Sequence, residues 1–226
     1  MPRPQTFTTV KSVPLVGGSL CLDFVNTTGA RASAVPRERL TCYGDLLTWG
    51  KRAGIIDANT AKRLRQEAAT REREAANALR QAHNVREDMY DLLSAFVDGR
   101  RPKTGAVARV TAQWRAARRN QELVLDRGGF KVRTVKKDMD FASLISPIVA
   151  AAVDLLTSDR LAQMKRCAEC DWLFLDTSKN KTRRWCKSTC GNRARSRERY
   201  DRRRTERSGM SSTRIDRLPM VRRRKP

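Results

Sequence analysis

Apolar residues recur at helical spacing through most of the first 120 positions. The pattern predicts short helices at 19–26 and 43–53, with Gly54 placed where a left-handed helix end favours glycine. Residues 57–97 continue as a charged, alanine-rich helical stretch. This stretch is long for one globular helix and 70–74 offers no apolar contact position, so we expect two helices here.

The spacing of apolar residues changes from helical to strand-like once before the cysteine-rich end of the chain. A helix predicted at 104–119 is followed by two short β-prone runs, 123–125 and 130–132, separated by Asp-Arg-Gly-Gly. Two such runs around glycines indicate a β-hairpin. Residues 141–156 are almost wholly apolar and predict a central buried helix, kinked near Pro147.

Four of the six cysteines form two close pairs separated by 15 residues: Cys167, Cys170, Cys186 and Cys190. Four soft thiolates are the ligand set of one tetrahedral structural Zn²⁺. A β-prone run at 172–175 and a return at 182–185 predict a hairpin that brings the two pairs together. An iron–sulfur cluster is the main alternative, because four cysteines also suit one.

These elements predict a mainly α fold with a small antiparallel β-hairpin (α+β). A helical N-terminal domain would be followed by a treble-clef-like zinc finger that ends in a basic helix. We expect the boundaries to fall at 1–160 for the helical domain, 161–205 for the finger and 206–226 for a disordered basic tail.

The charge of the chain points to a polyanionic partner. Lys and Arg number 48 against 24 acidic residues, and residues 160–226 alone hold 22 basic and seven acidic residues. Most of that excess is arginine, which binds phosphate with two parallel hydrogen bonds. Nucleic acid, and double-stranded DNA first, is therefore the expected partner.

A membrane is not an expected partner, because no run approaches 18 apolar residues and the N-terminus lacks the pattern of a cleaved secretory signal. Clustered cysteines in so few residues are typical of metal binding in a reducing compartment. We therefore expect a cytoplasmic protein.

The predicted helix from Ser188 to about Arg204 has arginines around its whole circumference and no apolar stripe for a core. Such a helix can lie in a major groove or along a phosphate ridge. A solvated basic tail without a specific partner is the alternative. The residues expected to contact nucleic acid are Lys187, Asn192, Arg193, Arg195, Arg197, Arg199 and Arg203.

The segments Trp185-Cys186 and Cys190-Gly191-Asn192-Arg193, with the basic helix after them, resemble the CGNR zinc-finger family of bacterial proteins. The stretch from Gly17 to Thr27 and the segment 45–49 are similar to the ABATE domain that precedes this finger. The resemblance covers about 13–204. It implies a stress-induced transcription regulator with a helical N-terminal domain, a Zn²⁺ ion held by the four paired cysteines, and an association with the bacterial nucleoid.

Two other functions stay open beside DNA binding. RNA binding would use Trp172, Phe174 and Trp185 as stacking platforms, although aromatic residues at these positions more often form a small core. An enzyme is the least favoured function, since no phosphate-cradling loop, histidine-based triad or open zinc site is visible and no catalytic residue is predicted.

A small-molecule site and a dimer interface are further hypotheses. Asp23 and Asn26, near a glycine-rich turn, could line a ligand pocket, although helix capping or buried hydrogen bonding suits such residues better. A homodimer is left open as well. Its interface would use the apolar faces around 141–156 or around Trp114.

Overall fold

Helices dominate the computed structural model, which describes residues 9–31, 33–119, 121–134 and 140–212. The helices are α1 (Leu20–Val25), α2 (Tyr43–Arg52), α3 (Ala58–Thr70), α4 (Glu72–Val97), α5 (Ala106–Arg118), α6 (Ser146–Leu156) and α7 (Ser188–Ser212). The strands form three antiparallel pairs: β1 (Thr28–Gly29) with β2 (Arg37–Glu38), β3 (Gln121–Asp126) with β4 (Gly129–Thr134), and β5 (Met164–Arg166) with β6 (Leu173–Leu175).

The predicted break in the long charged stretch is confirmed. Helix α3 starts after Asp57, whose Oδ1 accepts a hydrogen bond from the Thr60 amide at 2.7 Å, and ends before Arg71. Arg71 has a non-helical backbone conformation and separates α3 from α4. Gly54 follows α2 with φ +74°, as its position after that helix predicted.

The predicted kink at Pro147 is wrong. A 3₁₀ turn at Ser143–Ile145 precedes α6, and Pro147 lies in the first turn of that helix. A first-turn residue has no intrahelical acceptor for its amide, so the missing N–H of proline costs nothing there. Pro147 therefore begins a helix instead of bending one.

The core of the N-terminal region forms around α6, as the apolar run predicted. Helix α6 packs against α1, α4 and α5. Ile148 of α6 and Leu22 of α1 are completely buried. Phe24 of α1 packs on Trp49 of α2, with ring centroids 5.1 Å apart and planes tilted by 54°. These contacts fix the position of α1, which carries Asp23 and precedes Asn26.

A buried arginine joins the β1–β2 pair to α4. Arg86 is 3% exposed, and its guanidinium donates to the Glu38 carboxylate and, at 3.0 Å, to Thr27 Oγ1. Burial works to raise the pKa of Glu38, but the hydrogen bond and charge of Arg86 outweigh it and lower the pKa. Thr27 and the strand that follows it are thereby held on α4.

The described residues divide into two compact units between Cys186 and Lys187. The expected boundaries at 160/161 and 205/206 therefore stay a prediction about independently folding parts. Helix α7 continues to Ser212, into the segment expected to be disordered, while 213–226 of that predicted tail lie outside the described residues. Within the described part of the chain, no helix has both the length and the apolar character needed to cross a membrane.

Candidate metal centre and nucleic-acid interface

The first cysteine pair lies in a tight turn between β5 and β6. The Cys167 amide donates to the Trp172 carbonyl at 2.8 Å, and the Asp171 amide donates to the Cys167 carbonyl at 3.1 Å. Asp171 has φ +61°, a left-handed conformation that closes the turn. The short strands on each side therefore place Cys167 and Cys170 on one compact knuckle.

Backbone amides of this turn and of the second pair point at the sulfur atoms. The amides of Glu169 and Cys186 hydrogen-bond to the Cys167 sulfur, and the amide of Trp172 bonds to the Cys170 sulfur. Hydrogen bonds from the Cys170 and Cys186 thiols, together with these amides, lower the pKa of Cys167. Such donors stabilise a thiolate, the form in which cysteine binds a metal.

The predicted hairpin between 172–175 and 182–185 is wrong. Strand β6 pairs with β5, which precedes it, and the returning segment contacts the knuckle through one hydrogen bond from the Ala168 amide to the Arg184 carbonyl at 3.0 Å. The second edge of β6 is already occupied. Its Leu175 amide donates to the Gly17 carbonyl at 2.9 Å, and its Leu173 amide donates to Asn26 Oδ1 at 3.0 Å.

The four predicted ligands converge despite that difference. The sulfur atoms of Cys167, Cys170, Cys186 and Cys190 all lie within 4.8 Å of one another. The Cys170 and Cys186 sulfurs are 3.6 Å apart. Four sulfurs at the usual Zn–S length of 2.3 Å define a tetrahedron with edges of about 3.8 Å. Thiols this close surround a single ion, whereas a cluster of several irons would hold them further apart.

A buried carboxylate organises the loop between the two cysteine pairs. Asp176 is completely buried, and its carboxylate accepts hydrogen bonds from Lys165 Nζ at 2.8 Å, the Arg183 amide at 2.8 Å and the Ser178 hydroxyl at 2.6 Å. Burial works to raise the pKa of Asp176, but the bonds from Lys165 and Ser178 outweigh it and lower the pKa. Asp176 was not predicted as a functional residue, although an aspartate close to Lys179, Lys181, Arg183 and Arg184 was an available signal.

The same loop presents a second basic segment, which was not predicted to contact nucleic acid. Lys179, Lys181 and Arg184 are exposed, whereas Arg183 is half-buried with its guanidinium 5.0 Å from the centre of the Phe174 ring. The Arg183 side chain also donates to the Cys186 carbonyl at 2.7 Å. One arginine of the pair therefore supports the second cysteine pair while the other faces solvent.

Helix α7 carries most of the residues that are predicted to contact nucleic acid. It begins two residues before Cys190, which is buried, and Lys187 immediately before it is half-buried. The predicted contact residues on the helix are all exposed: Asn192, Arg193, Arg195, Arg197, Arg199 and Arg203.

Two of these side chains also have structural contacts. Arg193 donates to the Cys190 sulfur at 3.3 Å, so it touches a metal ligand as well as facing solvent. Asn192 Oδ1 accepts a hydrogen bond from Arg195 at 2.6 Å. This bond restricts the orientation of the Arg195 guanidinium.

The aromatic residues of the finger mostly form its core. Phe174 is completely buried, and Trp172 is buried beneath the Arg39 guanidinium, which lies 5.3 Å from its ring centre. Trp185 is half-buried and has Arg184 at 5.4 Å from its ring. Burial of two of the three rings favours a packing role over base stacking.

Asp23 and Asn26, the candidates for a ligand pocket, have partners within the fold. Asp23 Oδ1 accepts a hydrogen bond from the Gly17 amide at 2.8 Å, and burial raises the pKa of this carboxyl to about 6. Asn26 is buried and bonds to both backbone groups of Leu173. These are the buried hydrogen-bonding roles that the sequence also allowed.

Comparison with known families matches almost the whole described chain. Residues 18–159 match the ABATE family model, whose description is "Putative stress-induced transcription regulator", and residues 163–203 match the CGNR zinc finger. No curated protein matches the chain. The finger match and the compact Cys₄ arrangement fit one structural zinc ion, held by the four cysteines named above.

Proposed function

The chain belongs to the ABATE family, and from this premise we propose that it regulates transcription by binding double-stranded DNA through its zinc finger and helix α7. The observation that supports this most is the exposed arginine surface of α7, a helix that begins two residues before the metal ligand Cys190. A metal-anchored helix with no apolar stripe has no core to join, and its charge suits a polyanion.

The arginine side chains on α7 have a chemistry that DNA recognition can use. Arginine binds phosphate or the O6 and N7 edge of guanine with two hydrogen bonds. Arg195, oriented by Asn192, is the best candidate for such a base-edge contact. Arg197, Arg199 and Arg203 are assigned to phosphate or base edges, and Lys187 to phosphate.

The loop tied by Asp176 adds phosphate contacts to this proposal. Lys179, Lys181 and Arg184 are exposed, and the loop beneath them is fixed by a buried carboxylate with several donors. Cations on a fixed loop lose less conformational freedom on binding than cations on a mobile tail. We assign this loop to the DNA backbone, and specificity to α7.

The helical region 1–160 would dimerise the protein or respond to a signal, and the finger would occupy 161–205. The protein would act in the bacterial cytoplasm, at the nucleoid. Both matched families are described as a regulator or a zinc finger and neither as an enzyme, which supports a binding function over catalysis.

The test is a competitive selection with the zinc-loaded full-length chain at physiological salt. Pooled genomic duplex fragments and total RNA are offered together, and the retained molecules are sequenced. Enrichment of a few duplex sites supports the proposal. Preferential retention of particular RNAs, or equal salt-sensitive capture of every nucleic acid, would overturn sequence-specific DNA binding.

A salt titration then assigns the contact to α7. Each lost phosphate contact should flatten the plot of log K against log salt by about 0.9 for B-DNA. Arg197→Ala/Arg199→Ala should therefore lower the slope by up to about 1.8. The matched control is Arg73→Ala/Arg115→Ala, which removes two exposed arginines from α4 and α5 and should leave the slope unchanged. Equal slopes for both variants would exclude Arg197 and Arg199 from contacts with the DNA backbone.

A further inference from the structure

The β3–β4 hairpin carries an apolar face that nothing in the described chain covers. The register places Leu123 opposite Val132 and Leu125 opposite Phe130, so all four side chains share one face. They are 68%, 58%, 77% and 73% exposed, in that order. Scattered apolar residues on a surface are ordinary, but four adjacent ones on one face mark an interaction site.

The opposite face of the same hairpin carries two ion pairs between its own side chains. Lys131 Nζ lies 2.5 Å from the Asp126 carboxylate, and an Arg133 guanidinium nitrogen lies 3.7 Å from the Glu122 carboxylate. One face of the hairpin is therefore charged and internally paired, and the other is apolar and exposed. A two-stranded hairpin alone is marginally stable in water, and a third element on its apolar face would supply the missing burial.

We propose that the face formed by Leu123, Leu125, Phe130 and Val132 is the homodimer interface of this protein, with the same face of a second copy as its partner. The inference stands on the hairpin and does not depend on the proposed DNA binding. A two-fold interface brings the same patch together from both copies, and four apolar side chains without charges are complementary to themselves.

The low charge of this face permits a second copy as the occupant and disfavours the basic tail of the chain. Each chain carries +24, so two copies repel each other wherever their basic surfaces meet. Residues 121–134 hold three basic and two acidic residues, and the apolar face itself holds no ionisable group. The chain's own segment 213–226 is a poorer occupant, because it carries six basic residues against one acidic residue and the face offers them no partner.

The four exposed apolar side chains can form the centre of a larger interface. The largest apolar patch on a typical monomer is about 300–600 Å² and is often functional. A stable interface buries about 800 Å² per partner, with an apolar centre and a polar rim. The four side chains would form the centre, and the neighbouring strand backbone and turn would form the rim.

This assignment replaces the interfaces that the sequence suggested. Ile148, Val149, Ala152 and Leu155 of α6 are buried in the core, where α6 packs against α1, α4 and α5, and the other alanine, valine and leucine residues of this helix are half-buried. Trp114 is half-buried with the Arg118 guanidinium 4.9 Å from its ring centre. Neither region presents an apolar surface comparable to that of the hairpin.

The test is the mass of the zinc-loaded full-length chain by sedimentation equilibrium without nucleic acid. Concentrations reach about 100 μM, and salt of about 0.5 M screens repulsion between copies. The decisive pair is Val132→Glu on the hairpin and Val107→Glu on α5, because both valines are 58% exposed and both substitutions change the charge equally. Leu125→Glu is a second hairpin variant.

We expect the wild type and Val107→Glu to be dimers, and both hairpin variants to dissociate at least tenfold more readily. Zinc content and helical circular dichroism equal to the wild type would show that the variants fold. A monomeric wild type over the whole range would overturn the proposal, as would a hairpin variant that dimerises like the wild type. A mass that grows beyond the dimer would also overturn it, because a closed two-fold interface stops at two copies.

Discussion

Asn26 pairs with the backbone of Leu173 as a neighbouring β-strand would. Its Nδ2 donates to the Leu173 carbonyl at 2.8 Å, and its Oδ1 accepts from the Leu173 amide at 3.0 Å. Both residues are buried, and 146 residues of chain separate them. One side chain near the end of α1 therefore completes the edge of the strand that follows the first zinc-ligand pair.

Removing this side chain should destabilise the protein. Asn26→Ala leaves the amide and carbonyl of Leu173 buried without partners, at about 1–3 kcal/mol for each group. We expect a fall of a few kcal/mol in the free energy of unfolding, measured by denaturant titration of the zinc-loaded chain. Asn77→Ala, an exposed asparagine on α4, is the matched control and should change stability little. Unchanged stability in Asn26→Ala would contradict the role assigned to the pair.

Zinc content should depend on the four paired cysteines and on neither of the other two, Cys21 and Cys42. The full-length chain should bind one Zn²⁺, and serine at any one of the four ligand positions should weaken or abolish binding, because the oxygen of serine replaces a thiolate ligand. Cys42→Ser is the control, since Cys42 lies outside the cluster and serine is a good residue before α2. Elemental analysis after dialysis measures the ratio, and zinc loss in the control would contradict the assignment.

Arg193 should affect zinc as well as nucleic acid, because its guanidinium donates to the Cys190 sulfur at 3.3 Å. Loss of a hydrogen bond to a metal ligand typically costs about 10- to 100-fold in metal affinity. Arg193→Ala should therefore release zinc to a competing chelator more readily than the wild type. Arg199→Ala removes an exposed arginine from the same helix and should retain zinc normally. Equal retention in both variants would leave Arg193 with no role at the metal.

The loop held by Asp176, with its exposed Lys179 and Lys181, should make its own contribution to the salt dependence of DNA binding, separate from that of α7. Lys179→Ala/Lys181→Ala should reduce the salt slope by about 0.9 for each lost phosphate contact, with zinc content unchanged. Lys51→Ala/Lys62→Ala removes two exposed lysines from α2 and α3 and serves as the control. If the two double variants bind duplex DNA with the same slope, the loop does not contact the backbone, whatever the result for α7.

The half-buried carboxyl group of Asp23 should make the free energy of unfolding depend on pH. Burial raises the folded-state pKa of this carboxyl from 3.8 to about 6. A group whose pKa is raised by folding stabilises the fold below its unfolded pKa, and this contribution is lost as pH rises through the folded pKa. The free energy of unfolding should therefore decrease by about 1.5 kcal/mol between about pH 5 and about pH 8 on account of this group.

Asp23→Asn should remove that share of the pH dependence. At each pH, the free energy of unfolding of the wild type is subtracted from that of the variant. Protonation of the zinc ligands affects both proteins alike, so it cancels in this difference. Asparagine keeps an oxygen that can accept from the Gly17 amide, so the fold is retained. A difference that does not change with pH would mean that Asp23 ionises as freely in the folded protein as in the unfolded chain.

Local patterns in the sequence were sufficient wherever neighbouring residues decide the structure. The break at Arg71 was predictable because 70–74 has no apolar side chain to bury. The β3–β4 hairpin follows from its glycines, and the metal ligands follow from cysteine spacing and thiolate chemistry. Exposure of the arginines on α7 follows from the absence of an apolar stripe.

Contacts between distant residues decided the rest. Strand β6 has β5 on one edge and Gly17 and Asn26 on the other, so the returning segment 182–185 has no edge to pair with. No local pattern reveals which edge a distant group will fill. Leu123, Leu125, Phe130 and Val132 look like core residues in the sequence, and only packing shows that no described element covers them. The sequence determined which segments form helices, strands and metal ligands, since these depend on residues close in the chain. The tertiary structure decided which polar groups are satisfied and which apolar faces stay open, since burial depends on what the whole chain brings alongside.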